Sequence, residues 1–240
     1  MNPADLSSHT SSTYNQDLER VRSQVLEMGG LVEDQLKRVM IALLQSDSAL
    51  GRQVASEDPA VNRMELAIDE ACIRILATRS PTARDLRLVV AIIKASTDLE
   101  RIGDECQKLG HIAAKLAILD RPAGRYRDVE AMGHSVQETL RAALNAFSRL
   151  DSVSALDTVR KDRGIDQQYE KIQSLCVTDM KTDSNVVHRA LEIMWAVRSL
   201  ERIGDHAKNI CEYVIYTVHG MDIRHTSLDL ISQKLAPPDK

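Results

Sequence analysis

Aromatic side chains are scarce in this chain: one Phe, one Trp and five Tyr make up 3% of 240 residues. Glycine and proline are also few, at 10 and 6. A chain poor in ring systems and breakers, yet 43% hydrophobic, argues for packed helices filled by Leu, Ile, Val and Ala. No apolar run approaches the ~20 residues that span a bilayer. The first residues, "MNPADLSSHTSSTYNQ", are polar and lack the apolar core of a signal peptide. A cytoplasmic location is therefore expected. Cys72, Cys106, Cys176 and Cys211 form no CxxC pair. They read as buried thiols in a reducing compartment, with a thiolate metal site or redox switch as the alternative. The formal charge of -4 gives no reason to expect nucleic acid. There is no GxGxxG, P-loop, HExxH or GxSxG motif.

What the chain does have is a repeat. "LERIGD" occurs at Leu99–Asp104 and again at Leu200–Asp205. "MGGLVEDQL" at Met28 is echoed by "MGHSVQETL" at Met132, and Asp47-Ser48 by Asp151-Ser152. Asp58-Pro59-Ala60-Val61 returns as Asp162-Arg163-Gly164-Ile165. Self-similarity at this spacing signals duplication of one supersecondary unit.

Each unit reads as three helices. Leu18, Val21, Val25, Val32, Leu36, Val39 and Leu43 recur at helical spacing over roughly 17–45. Ser46-Asp47-Ser48 is a turn with capping residues. A second helix runs to about Ala77, with Pro59 marking either a kink or the first turn of a fresh helix. Ser80 as N-cap and Pro81 at the first helical position open the third. Its stripe steps by fours and threes, Leu88, Ile92, Ala95, Leu99, Ile102, Cys106, Leu109, Ala113 and Leu116, as a heptad seam does. The expected fold is all-α, two pseudo-symmetric antiparallel three-helix bundles with six long helices. The expected organisation is a loose arm at 1–14, bundles at 15–120 and 121–220, and a polar tail at 221–240.

The repeated hexapeptide carries the candidate site. Glu100 and Asp104, and again Glu201 and Asp205, stand four apart, side by side on a helix face. With Leu99 at heptad position a and Ile102 at d, Glu100 falls at b and Asp104 at f, on the outside of the seam. Glu65 with Asp69 on the second helix and Asp166 with Glu170 on the fifth add like-spaced pairs. Antiparallel neighbours bring such pairs together. Oxygen-only clusters suit Mg²⁺, Mn²⁺, Ca²⁺ or iron and lack the Cys and His that zinc prefers. The competing reading is a solvated face with Arg101 and Arg202 in ordinary surface ion pairs. Gly103, Gly204, Gly29, Gly30 and Gly133 point to close helix approach or to ligand access. His206 is expected at the surface. Trp195 reads as a helix-edge residue or, alternatively, a partner anchor.

Taken in order, "VRSQVLEMGGLVEDQL", "NRMELAIDEACIRILA", "SPTARDLRLVVAIIKASTD", the two hexapeptides and "KNICEYVIYTVHG" resemble the PhoU family of phosphate-transport accessory proteins over nearly the whole chain. The resemblance implies two three-helix bundles without catalysis. It also implies an E(D)xxxD motif that holds surface metal clusters, matched by Glu100/Asp104, Glu201/Asp205 and Glu65/Asp69. Asp166/Glu170 departs by ending in Glu, and which of Fe, Mn, Mg or Zn binds stays open. It implies partners as well: the ATPase subunit of the Pst phosphate transporter and the sensory region of the PhoR histidine kinase. The implied role is restraint of uptake and repression of the Pho regulon when phosphate is plentiful. A homodimer is expected, with membrane association only through partners. The alternatives are a metal-binding helical scaffold without signalling and a metal-dependent phosphohydrolase.

Overall fold

The computed structural model describes residues 12–119 and 126–223, and these are helices joined by short turns, with no strand among them. The chain order is α1 (Ser12–Gln45), α2 (Ser48–Ala55), α3 (Asp58–Arg79), α4 (Ala83–Leu116), α5 (Arg127–Arg149), α6 (Ser152–Lys161), α7 (Arg163–Thr182) and α8 (Val187–His219). A single 3₁₀ turn, Ser184–Val186, leads into α8. The long helices α1, α4, α5 and α8 make the inner layer, and α2–α3 and α6–α7 cover them from outside. Most of the expected arm at 1–14 and most of the tail at 221–240 lie outside the described residues.

The six expected long helices are present, and a break converts each second helix into a short and a long one. After Ala55 the backbone stops, and Pro59 sits in the first turn of α3, where its missing N–H costs nothing. The second half breaks at Asp162. Asp47 and Asp151 cap α2 and α6 identically. In each, one carboxylate oxygen accepts from the backbone N–H groups two and three residues on, at 2.9 to 3.1 Å.

One expected cap is corrected. Ser80 does not open α4. It closes α3 in the left-handed region, φ 44°, a common helix-ending conformation, and Pro81 keeps the right-handed helix from continuing through it. Thr82 takes the N-cap place and α4 starts at Ala83.

The core is one continuous cluster running through both halves. The halves meet along two antiparallel helix pairs. In the first, α1 crosses α5 on reciprocal glycines. Gly29 lies under Leu144, and its counterpart Gly133 lies under Met40, the residue corresponding to Leu144. Each glycine thus receives the side chain from the equivalent position of the other half, as a pseudo-twofold axis requires. Arg141 Nε donates to Glu33 Oε1 at 2.6 Å beside this crossing.

The second pair is α4 against α8. Arg87 Nε reaches the Thr217 carbonyl oxygen at one end (3.4 Å), and Lys115 Nζ reaches Glu192 Oε1 at the other (3.3 Å). Helices of 34 and 33 residues extend about 50 Å each at 1.5 Å per residue.

Within the first half, α2 lies on α4 through Gly51 and Gly110, each with a backbone oxygen where a Cβ would go, at 2.7 and 2.5 Å. A backbone cannot swing aside as a side chain can. Gly110→Ala should therefore destabilise the protein by about 2 kcal/mol or more. Gly30→Ala, which meets nothing within 4 Å, should be neutral or stabilise by up to ~1 kcal/mol. Urea unfolding of the two variants checks the contrast, and equal effects would contradict the close crossing.

Candidate acidic face and the polar seam

The a and d positions of α4 and α8 fill the core as the heptad predicts: Leu99, Ile102, Cys106, Leu200, Ile203 and Ala207 are all fully buried. The e positions Gly103 and Gly204 face the outer helices. A Cβ on Gly103 would lie 3.2 Å from Val61, and one on Gly204 would lie 3.1 Å from Ile165. These glycines therefore serve packing: they let α3 and α7 lie close, and so bring outer-helix carboxylates near the hexapeptides.

In the second half this assembles a crowded acidic face. Glu201 is 14% exposed and Asp205 48%. Burial raises the carboxyl pKa of Glu201, and Asp205 and Asp166 push it further. Asp205 is raised by burial first, with Asp162 and Asp166 adding to it against the pull of Lys208. Asp166 is raised by burial, Asp162 and Glu170. One Glu201 oxygen, Oε2, is buried without a hydrogen-bond partner, while the other accepts from Arg198 at 2.7 Å. Lys208 Nζ sits 2.7 Å from Asp162 and 3.9 Å from Asp205.

The first half is not a copy of this face. Val61 and Ile165 occupy equivalent places, so Glu65 and Asp69 correspond in register to Tyr169 and Gln173. Asp166 and Glu170 correspond instead to Asn62 and Leu66. The two outer-helix acid pairs therefore occupy different levels of their bundles. Asp69 is half-buried, its carboxyl pushed up by burial and held back by the Ser96 hydroxyl, and its Oδ1 has no partner. Glu65, Glu100 and Asp104 are half-buried, and Asp166 and Glu170 exposed. Lys208 corresponds to Gln107, whose Nε2 donates to the Ala55 carbonyl oxygen at 3.3 Å.

All the potential donors are oxygens, and their mutual repulsion favours a hard cation. As the side chains stand, no group of three or more His, Cys, Asp or Glu among the described residues is disposed to hold one ion.

His206 is corrected from surface to interior. It is 8% exposed, with Nδ1 2.7 Å from Asp98 Oδ1. Asn209 Nδ2 donates to the same oxygen at 3.1 Å, and Tyr213 OH donates to Oδ2 at 2.7 Å. Lys94 lies over the Tyr213 ring, 5.5 Å from its centroid. Further along, the buried Glu105 accepts from Lys108 at 2.9 Å and faces Arg202 at 3.2 Å.

Asp98, Glu105, Glu192, Ser199, His206 and Tyr213 all fall at heptad position g. That stripe, at the edge of each seam, is the contact between the halves. The register held the signal, but polar residues conceal a contact face from a search for apolar periodicity.

Trp195 is 63% exposed. The four cysteines are free and buried, and burial pushes the Cys72 and Cys211 thiols up to about 12.

A doubled helical bundle with an acidic outer face, its halves locked by a buried polar seam, is the class of protein this geometry defines. A PhoU domain model matches residues 25–113 and 129–214, one match per half. The chain is 46% identical over 228 residues to a Pseudomonas putida protein named phosphate-specific transport system accessory protein PhoU homolog, covering 95% of this chain and 89% of that one. It is 41% identical over 240 residues to the Escherichia coli K12 phosphate-specific transport system accessory protein PhoU, covering 100% and 99%. The crystal structure of PhoU from Pseudomonas aeruginosa superposes with a TM-score of 0.84 at 46% identity, covering 87% of this chain and 100% of that one. The chain belongs to the PhoU family.

Two outcomes follow for stability. Asp98→Ala removes the acceptor shared by His206, Asn209 and Tyr213 at a seam where His206 is buried and should cost about 3 kcal/mol. Denaturant unfolding measures this, and a loss below ~0.5 kcal/mol would contradict the seam. On the acidic face, folded-state carboxyl pKa values lie above their unfolded values, so the folded protein binds more protons there. Its contribution destabilises at neutral pH and is relieved as pH falls toward the ordinary carboxylate range. Asp205→Asn should therefore raise the Tm at pH 7 and lose that advantage progressively as the pH falls to the ordinary aspartate value of 3.8. A lower Tm at pH 7 would count against the crowding.

Proposed function

We propose that this chain is a non-enzymatic regulator of phosphate homeostasis, acting as a cytoplasmic adaptor between a phosphate-specific ABC transporter and the PhoR-type sensor kinase. In this reading it represses the phosphate-starvation response and restrains uptake when phosphate is plentiful. The observation that carries it is the likeness to named accessory proteins of phosphate-specific transport across 100% of the chain. The architecture supports it. Two similar outer faces on one continuous core suit simultaneous contact with two partners, and no described helix is long and apolar enough to cross a membrane. Exposed Leu66 and Ile73 on α3, and Leu191 and Trp195 on α8, leave apolar edges for those partners or for a second copy in a homodimer.

The acidic face completes the reading. The residues fit a hard divalent cation or iron by donor chemistry: oxygen ligands only, carboxylates that repel one another, and an unpartnered buried oxygen on Glu201. Glu201, Asp205 and Asp166, flanked by Glu170, would hold it in the second half, and Glu100, Asp104, Glu65 and Asp69 in the first. Bound there, the ion would neutralise the repulsion and stiffen the outer helices.

Deleting the gene in its host should derepress alkaline phosphatase in phosphate-rich medium. Unchanged repression would contradict the adaptor role. Calorimetric titration with Mn²⁺, Mg²⁺ and Fe²⁺ checks the acidic face separately: saturable binding lost in Asp205→Asn is expected, and flat titrations would remove the metal from the account.

A further inference from the structure

The two halves differ at one corner, and the difference leaves a cleft. In the first half Arg38 on α1 fills the angle between α1 and the α2–α3 corner. Its Nε donates to Asp34 Oδ2 at 2.6 Å, and its Nη1 to Glu57 Oε1 at 2.8 Å, while Nη2 meets the other Glu57 oxygen. This forked pair holds the Glu57 carboxyl well below the ordinary range and leaves Arg38 22% exposed.

The repeat places Ala142 where Arg38 stands, Glu138 for Asp34, Lys161 for Glu57 and Gln168 for Met64. The space vacated by the arginine is a cleft of about 180 Å³ between α5, α6 and α7, lined by Glu138, Ala142, Lys161, Gly164 and Gln168 among others. Gly164 has nothing within 4 Å of where its Cβ would be. Gln168 Oε1 is buried without a hydrogen-bond partner. Neither Glu138 nor Lys161 forms an ion pair with a described residue. Two acceptors, Glu138 and Gln168, thus line the cleft that lies where the repeat removes the arginine.

We propose that this cleft binds a guanidinium group, supplied by a small alkylguanidine or by an arginine side chain of a peptide. The planar head has several donors. Glu138 meets its charge and Gln168 Oε1 takes a second N–H, as Asp34 and Glu57 together serve Arg38. Lys161 on the rim opposes the ligand's charge, so the site holds a single cation loosely, and Lys161→Glu should strengthen it. Nothing in this inference depends on the phosphate-regulatory reading.

Calorimetric titration of the full chain tests it. The probes are n-propylguanidinium, which reproduces an arginine side chain, n-butylammonium as control, and the peptide Gly-Gly-Arg-Gly-Gly. Saturable binding of propylguanidinium or of the peptide is expected, weakened at least tenfold by Glu138→Gln and tightened by Lys161→Glu. Tighter binding of the peptide than of propylguanidinium would identify a polypeptide as the source, and binding of propylguanidinium tighter than that of the peptide a free guanidinium ligand.

Ala142→Arg gives a ligand-free check. The tethered guanidinium should fill the cleft, abolish probe binding and raise the Tm, and the rise should vanish in combination with Glu138→Gln. Absence of saturable binding, equal binding of butylammonium, indifference to Glu138→Gln, or a Tm change independent of Glu138 would each overturn the proposal.

Discussion

A carboxylate buried between two helices determines how the halves of this protein stand to each other. Asp98, 3% exposed, takes its hydrogen bonds from α8 through His206, Asn209 and Tyr213. A buried charge is tolerable when its lone pairs are answered, and it penalises any register in which they are not. Leucines along the same line would let α4 and α8 slide by a turn. Asp98 and, farther on, Glu105 with Arg202 allow one register. The reciprocal glycines of α1 and α5 set the spacing on the opposite side. The acidic faces depend on this frame, because α3 and α7 take their positions from α4 and α8 through Gly103 and Gly204.

The halves have diverged within one backbone plan. The aspartate caps, the Gly29/Gly133 and Gly103/Gly204 contacts and the core stripe are shared, whereas the Gly51–Gly110 crossing of the first half meets Ala155 and Cys211 in the second. Charged groups are not. The central hub pairs Asp98 with His206, whereas Ser199 and Glu105 hold the equivalent positions. Lys208 neutralises part of the second acidic face where the first half has Gln107. Arg38 closes a corner that Ala142 leaves open. Such differences give a duplicated protein two faces of similar shape and different electrostatics, which suits engagement of two different partners.

The backbone was largely legible in the residues. The a/d stripe of α4, the Asp47 and Asp151 caps and the repeated hexapeptide specify long helices, their breaks and their doubling, because each acts locally or through period. Ser80 is ambiguous in the sequence because Pro81 serves equally well to start a helix and to end the preceding one. The carboxylates were legible as residues but not as a set. Heptad lettering shows which face Glu201 and Asp205 occupy, but not that on the equivalently packed α3 and α7 the acids stand at different positions, so that Asp162 and Asp166 reach them while Glu65 and Asp69 sit at another level. The Asp98 hub depends on partners 108 to 115 residues away, and no local pattern encodes that.

The central claim is that a single core, pinned by the α4–α8 seam, makes the two halves one cooperative body. Native-state hydrogen exchange on the full chain measures this directly. The account predicts that amides around Asp98 on α4 and around His206 on α8 exchange only by global unfolding, with the same free energy and the same denaturant dependence. Two separate isotherms, one for α1–α4 and one for α5–α8, would contradict it.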